Sequence, residues 1–314
     1  MFEKENSIQK TVDYITKSYL RNVMQIAVFY TGSNKIYGIN ISKIQTFLIK
    51  DDVVITKTPS SNNLIVGVID LRGEIITVVN LDRWIDETAD ESEYKIIIVC
   101  NYNERKIGIL VKDIIKIEEK QSDELKLPSG NDPKVSYVTE IEVDEENNNE
   151  LCIIFDAEKL LFDVNIQGST TIYDIEQIED LPPIKSDRLL LVAEDSTTVI
   201  TKLKEFFDKL MVKYEIYENG ELLLKRLNTL SMNEIGLIVT DIEMPVKNGY
   251  QVIKFIKDSP KYKKLPVLSL TSMTNMGVFD KVSKLGALAL VNKSDLKTLY
   301  KYIKQYMEKN NEKY

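Results

Sequence analysis

No histidine occurs among the 314 residues. Its absence removes imidazole metal sites, Ser/His and Cys/His nucleophilic pairs, and any phosphohistidine carried by this chain itself. Cysteine is nearly as scarce. Cys100 and Cys152 are too few for a disulfide framework, and each lies in an apolar strand-like run where a buried thiol is the simplest reading. No apolar run approaches the roughly 20 residues that cross a bilayer. The opening MFEKENSIQK lacks the basic-then-apolar pattern of a secretory signal. A cytoplasmic location is therefore expected, with no direct membrane insertion. Basic charge is in deficit, 41 side chains against 49 acidic ones for a net charge of −8, which argues against a nucleic-acid partner.

What is present divides in two. The length fits about two domains, and 43% hydrophobic residues can fill ordinary cores. Apolar side chains at Ile8, Val12, Ile15 and Tyr19 have near-helical spacing, so a short helix is expected within residues 1–22. From Met24 the pattern turns to short strands: Met24–Tyr30, Lys35–Ile41, Leu64–Asp70, Glu74–Leu81, Tyr94–Cys100, Lys106–Val111, Ser136–Val143 and Glu150–Phe155. Polar segments separate them, which predicts an all-β barrel or sandwich over 23–164, closed by a brief helix at Ala157–Leu161. Residues 165–187, with a glycine, two adjacent prolines and several acids, read as a linker.

From 188 to 314 strands and helices alternate. Strands are expected at Leu189–Ala193, Tyr214–Tyr217, Leu237–Asp241, Pro266–Ser272 and Ala287–Lys293, with a helix after each. This is an α/β doubly wound sheet. The stretch LIVTDIEMP, Leu237–Pro245, is its centre: an apolar run buried on both faces that delivers Asp241 at its carboxyl end. A lone aspartate there would be an ordinary turn former. Here the other strands bring partners to the same edge, where open α/β sheets bind ligands. They are Glu194 and Asp195, Thr271 and Ser272, and Lys293. Each carboxylate pair at about 4 Å costs on the order of 4 kcal/mol at an effective dielectric near 20. A divalent cation removes that cost, and oxygen-only ligands favour Mg²⁺. An ammonium and a hydroxyl beside it suit a phosphoryl group on a carboxylate oxygen.

In order, the ED pair, the DIEMP loop, the LTS strand end and GALALVNK resemble the receiver domain of two-component response regulators. The resemblance implies a flavodoxin-like sheet of strand order 2-1-3-4-5 and phosphoryl transfer from a partner kinase's phosphohistidine to Asp241. It implies that Glu194, Asp195, Asp241 and the backbone carbonyl of Glu243 hold Mg²⁺, that Thr271 bonds the phosphoryl group, and that Lys293 pairs with it. Ser294 stands where the family usually has proline, and Leu290 where it usually has an aromatic residue. With Leu290 in place of that aromatic, phosphorylation is expected to be reported mainly by the loop Ser272–Gly277.

In the amino-terminal half, GVIDLRGEIITVVNL over Gly67–Leu81, flanked by KIYGINISKIQ and ERKIGILVKDI, resembles CheW-type coupling domains. These pair two five-stranded β-barrels, a CheW-like double β-barrel. Arg72 is expected at the apex of a turn, with Leu71 before it and Gly73 giving the turn its freedom. The resemblance implies that this apex binds the histidine kinase CheA and the tips of chemoreceptors (methyl-accepting chemotaxis proteins). Asp70 replaces the more usual asparagine. A coupling domain followed by a receiver is similar to the CheV family of chemotaxis proteins. That implies a phosphorylation-controlled scaffold associated with membrane chemoreceptor arrays, and no enzyme in the usual sense. The alternative is a phosphate sink for CheA, localised by its coupling domain.

Overall fold

The computed structural model describes residues 23–59, 62–102, 105–128, 132–143, 149–164, 181–272 and 276–308. The helix expected within 1–22, most of the linker, and positions 273–275 of the Ser272–Gly277 loop lie outside them. The chain divides into two compact units, one within Met24–Ile172 and the other including Tyr173–Tyr314.

The first unit contains two five-stranded sheets. One sheet comprises β1 (Val23–Tyr30), β2 (Ile36–Asn40), β8 (Asp113–Gln121), β9 (Val135–Glu142) and β10 (Asn149–Phe155), in the order β8-β1-β2-β10-β9. The other comprises β3 (Ile44–Ile49), β4 (Ile65–Leu71), β5 (Glu74–Asn80), β6 (Ile96–Tyr102) and β7 (Arg105–Val111), in the order β3-β6-β7-β5-β4. Each builds its own core, around Ile26, Val28 and Ile154 in the first and Ile76, Val78 and Val99 in the second. Helix α1 (Leu81–Trp84) follows β5, and α2 (Ala157–Val164) follows β10. The sequence pattern shows eight strands. β3 and β8 are the two it misses, because neither has a plain apolar run. β3 turns Phe47 and Ile49 to solvent, and β8 is charged at five of its nine positions.

Asp82, in α1, ties the two sheets together. It is fully buried, accepts the backbone N–H groups of Gly32 and Ser33 from the β1–β2 turn at 2.9 Å each, and accepts the Tyr94 hydroxyl at 3.0 Å. Burial pushes the Tyr94 phenol up to about 12, so it remains a donor. Gly32 is required by this joint: a Cβ there would lie 2.6 Å from the Tyr94 ring. Asp82→Ala would strand these buried donors, and at 1–3 kcal/mol per orphaned group a loss of about 2–4 kcal/mol is expected. Urea denaturation followed by Trp84 fluorescence measures it. An unchanged midpoint would mean that the joint does not hold the unit together. The two thiols are inert by placement, since burial pushes both Cys100 and Cys152 up to about 12.

The second unit is a five-stranded parallel sheet. Its strands are β11 (Leu189–Ala193), β12 (Lys213–Tyr217), β13 (Ile235–Asp241), β14 (Val267–Thr271) and β15 (Leu290–Asn292). They lie in the order β12-β11-β13-β14-β15, which is the 2-1-3-4-5 order expected. Helices α3 (Thr197–Leu210), α4 (Gly220–Leu227), α5 (Gly249–Asp258), α6 (Met276–Lys284) and α7 (Leu296–Met307) alternate with them. β13 is buried at all seven positions, as a central parallel strand must be. Ser196 caps α3 by accepting from the Val199 N–H, and the helix ends one residue before Met211, which adopts the left-handed conformation. Part of the segment read as linker belongs to this unit. Ile184 is buried, its N–H donates to the Leu210 carbonyl at 2.9 Å, and the Ser186 hydroxyl donates to the Met307 carbonyl at 2.7 Å.

Candidate functional site

Sheet register decides which side chains can meet. Asp241 pairs with Leu270, Thr271 pairs with Asn292, and Ala193 pairs with Thr240. The carboxyl ends of β11, β13, β14 and β15 therefore fall on one edge, and Glu194, Asp195, Asp241, Thr271 and Lys293 come together there. Glu194, Asp241, Thr271 and Lys293 are all buried, with Asp195 half-buried. One ligand oxygen from each of Glu194, Asp195 and Asp241 lies within 4.8 Å of the others. The Lys293 ammonium donates to Glu194 Oε1 at 2.8 Å and sits 3.2 Å from Asp241 Oδ2. Asp241 Oδ1 accepts the Ile242 N–H at 2.7 Å, and Glu194 Oε1 accepts the Ser196 N–H at 3.2 Å. Three carboxylates against one ammonium leave a net charge of about −2 in a largely buried site. This oxygen-only donor set fits a hard divalent cation that keeps some of its own water.

The loop after Asp241 is shaped to hold the carboxylate in place. The Gly249 N–H donates to the Ile242 carbonyl at 3.1 Å, and a Cβ on Gly249 would stand 2.1 Å from the Asp241 carbonyl oxygen, so only glycine permits the approach. Between them Val246 has a positive φ of 62°, a strained value for a β-branched residue. The Lys247 N–H reaches back to the Pro245 carbonyl at 2.6 Å, closing a three-residue turn. Glu243 lies in this loop, half-buried, two residues past the strand. Leu290 is half-buried and packs against the apolar core of the unit.

The second candidate site is the β4–β5 hairpin. Leu71 pairs with Glu74, so Arg72 and Gly73 form the two-residue loop. Both have positive φ, 57° and 85°, the geometry that matches strand twist and favours Asn-Gly or Gly-Gly. Asp70 explains its own presence: its Oδ1 accepts the Gly73 N–H at 2.7 Å and closes the turn. Arg72 is exposed at the apex, with Ile75 65% exposed three residues on. An arginine held in a left-handed conformation costs about 1–2 kcal/mol relative to glycine.

Comparison with known proteins joins the two sites. Residues 25–165 match the model of the CheW-like domain, and residues 190–304 match that of the response regulator receiver domain. Chemotaxis protein CheV1 of Helicobacter pylori is 27% identical over 95% of this chain and 97% of its own length. The chain is a CheV-type protein. CheV2 of the same organism is also 27% identical, over 94% of this chain and 98% of its own. For the CheW-like half alone, CheW of Thermotoga maritima is 36% identical over 27% of this chain and 56% of that protein. As a CheV-type chain it is a chemotaxis coupling protein whose second domain is a phosphorylatable receiver.

The receiver also uses residues that side-chain patterning passes over. The N–H groups of Ile242 and Ser196, which hold Asp241 and Glu194, are backbone donors with no side-chain signature. Gly249 is visible as half of an Asn-Gly turn, and its close approach to β13 emerges only from the packing.

Proposed function

We propose that the receiver of this coupling protein accepts a phosphoryl group on Asp241 from the phosphohistidine of the kinase CheA, and that the CheW-like domain holds the chain between CheA and the chemoreceptors through the Leu71-Arg72-Gly73 turn. The observation that carries the first part is Lys293, whose ammonium lies within 3.2 Å of both Glu194 and Asp241. In the transfer, an Asp241 carboxylate oxygen forms the new O–P bond as the P–N bond breaks, and the imidazole, already protonated on its other ring nitrogen, takes the bonding pair and leaves neutral. Glu194, Asp195, Asp241 and the Glu243 carbonyl would hold Mg²⁺. The ion would neutralise charge on the phosphoryl oxygens.

The residues of the chain do the rest. The Ile242 N–H holds Asp241 in place for in-line attack. Lys293 keeps the carboxylates together before transfer and offers its ammonium to the added phosphoryl charge afterwards. The Thr271 hydroxyl, buried at the next strand end, is the donor for a phosphoryl oxygen. Phosphorylation adds about −1.5 to −2 charges here and biases the fit of the receiver to its surroundings by a shift in populations. The chain works at receptor arrays on the cytoplasmic side. No helix among the described residues is long and apolar enough to cross a membrane.

Co-sedimentation with CheA and receptor-bearing membranes tests the coupling half. Arg72→Ala should weaken recovery in the pellet and leave receiver phosphorylation unchanged. Arg72→Gly should do the same while stabilising the domain by about 1 kcal/mol, because the strained turn relaxes. Wild-type recovery of both variants would remove Arg72 from the interface. Asp241→Asn should still assemble. Loss of assembly in that variant would contradict a scaffold that assembles independently of its phosphorylation, whereas a pure sink would change CheA phosphate turnover and nothing else.

A further inference from the structure

Lys293 has to place its ammonium between two buried carboxylates, yet it stands at the point where β15 ends and the chain turns into α7. Its backbone N–H is fixed by the Thr271 carbonyl at 2.9 Å. Its other peptide, to Ser294, belongs to a β-turn over residues 292–295, closed by the Asp295 N–H donating to the Asn292 carbonyl at 2.9 Å. The Asn292 side chain reaches over this turn. Its Oδ1 accepts the Ser294 N–H at 2.9 Å and the Ser294 hydroxyl at 2.6 Å. The Ser294 N–H is part of the Lys293–Ser294 peptide plane, so the Asn292 contact sets the orientation of that plane and with it ψ of Lys293. Asp295 then caps α7 by accepting the Thr298 N–H at 2.9 Å. The turn is pinned on both sides, and the side-chain contact on the peptide after the lysine comes from Asn292.

We propose that Asn292 is a positioning residue for phosphoryl transfer, acting through Lys293 by accepting the Ser294 N–H and so holding the peptide plane between Lys293 and Ser294. Asn292 does not contact the carboxylates. Ser294 is exposed and Asn292 is half-buried at the end of β15, so solvent could satisfy their polar groups if they were parted. The clamp therefore supplies geometry. Removing the Asn292 acceptor lets the 293–294 peptide rotate and spreads the ammonium over more positions. A misplacement of about 1 Å in a catalytic constellation can lower a rate about 100-fold.

This inference rests on Asp241 being the phosphoacceptor, and the test separates the two. The full chain is phosphorylated with acetyl phosphate over a range of Mg²⁺ concentrations, which avoids kinase docking. Rate constant and Mg²⁺ half-saturation are read separately. Asn292→Leu, similar in shape and without an acceptor, should lower the rate constant about 10-fold at saturating Mg²⁺ with half-saturation nearly unchanged. Asn292→Asp keeps the acceptor and should stay within about 3-fold of wild type. Ser294→Ala keeps the N–H and should also stay within about 3-fold. Wild-type rates for Asn292→Leu would overturn the proposal. So would an equal loss in Asn292→Asp, or a rate loss that tracks the melting temperature, because either marks a merely structural role. A wild-type chain that takes phosphate elsewhere than Asp241 would instead defeat the underlying reading.

Discussion

Asparagine in place of Asp241 is expected to abolish phosphoryl acceptance and leave the receiver folded. The substitution exchanges the nucleophilic carboxylate for an amide of nearly the same shape, and an amide oxygen does not form the acyl phosphate. The rate should fall on the order of 100-fold or more, to background. Stability should move little. The introduced amide carbonyl can still accept the Ile242 N–H, Lys293 retains Glu194 at 2.8 Å, and one of three clustered negative charges is gone. Loss of a charge-assisted contact to Lys293 and relief of like-charge repulsion oppose each other, leaving a change of about 1 kcal/mol. Radiolabel transfer from CheA and thermal melting measure the two sides. A variant that still takes phosphate at the normal rate would show that another residue is the acceptor.

Removing the other partner has the opposite balance. Lys293→Met is expected to destabilise the receiver strongly, because it strips the ammonium from a pair whose side chains are 2% and 0% exposed. Breaking a buried ion pair from one side costs about 3–5 kcal/mol, since the remaining charge is left buried. Here Glu194, Asp195 and Asp241 would face one another. The loss should therefore depend on metal. Mg²⁺ held by the proposed site would bind the folded state and not the unfolded chain, so it should restore part of the stability by mass action, and more in Lys293→Met than in wild type, where Lys293 already offsets some of the charge. Urea unfolding with and without Mg²⁺ measures this. Equal stability of variant and wild type in the absence of Mg²⁺ would show that the Lys293 bridge contributes nothing to holding the site together.

The receiver is legible in the sequence to a degree the coupling domain is not, and the reason is periodicity. β13 is buried at every position and reads as a largely apolar run ending in Asp241, and buried runs also mark β11 and β14. Site residues sit where such runs stop, so Glu194, Asp195, Thr271 and Lys293 can be placed from the sequence alone. In the coupling domain two strands, β3 and β8, are largely half-buried or exposed. Phe47 and Ile49 point to solvent from β3, and β8 carries five charged residues among nine, so both merge with their neighbours when read as sequence. The Arg72-Gly73 turn is visible as a turn, but the Asp70 carboxylate closing it appears only in three dimensions. The least legible features are contacts between distant segments. Nothing local to Asp82 announces that it accepts from Gly32, Ser33 and Tyr94.

The central claim is that Asp241 is the residue that takes the phosphoryl group. The most direct measurement mixes the full chain with CheA phosphorylated on its histidine, adds Mg²⁺, traps the acyl phosphate by reduction, and locates the modified residue by mass spectrometry. The account predicts a single modified position, Asp241, formed in the presence of Mg²⁺ and lost when Mg²⁺ is chelated beforehand. Modification at any other residue, or no transfer from CheA while CheA remains competent toward another receiver, would contradict it.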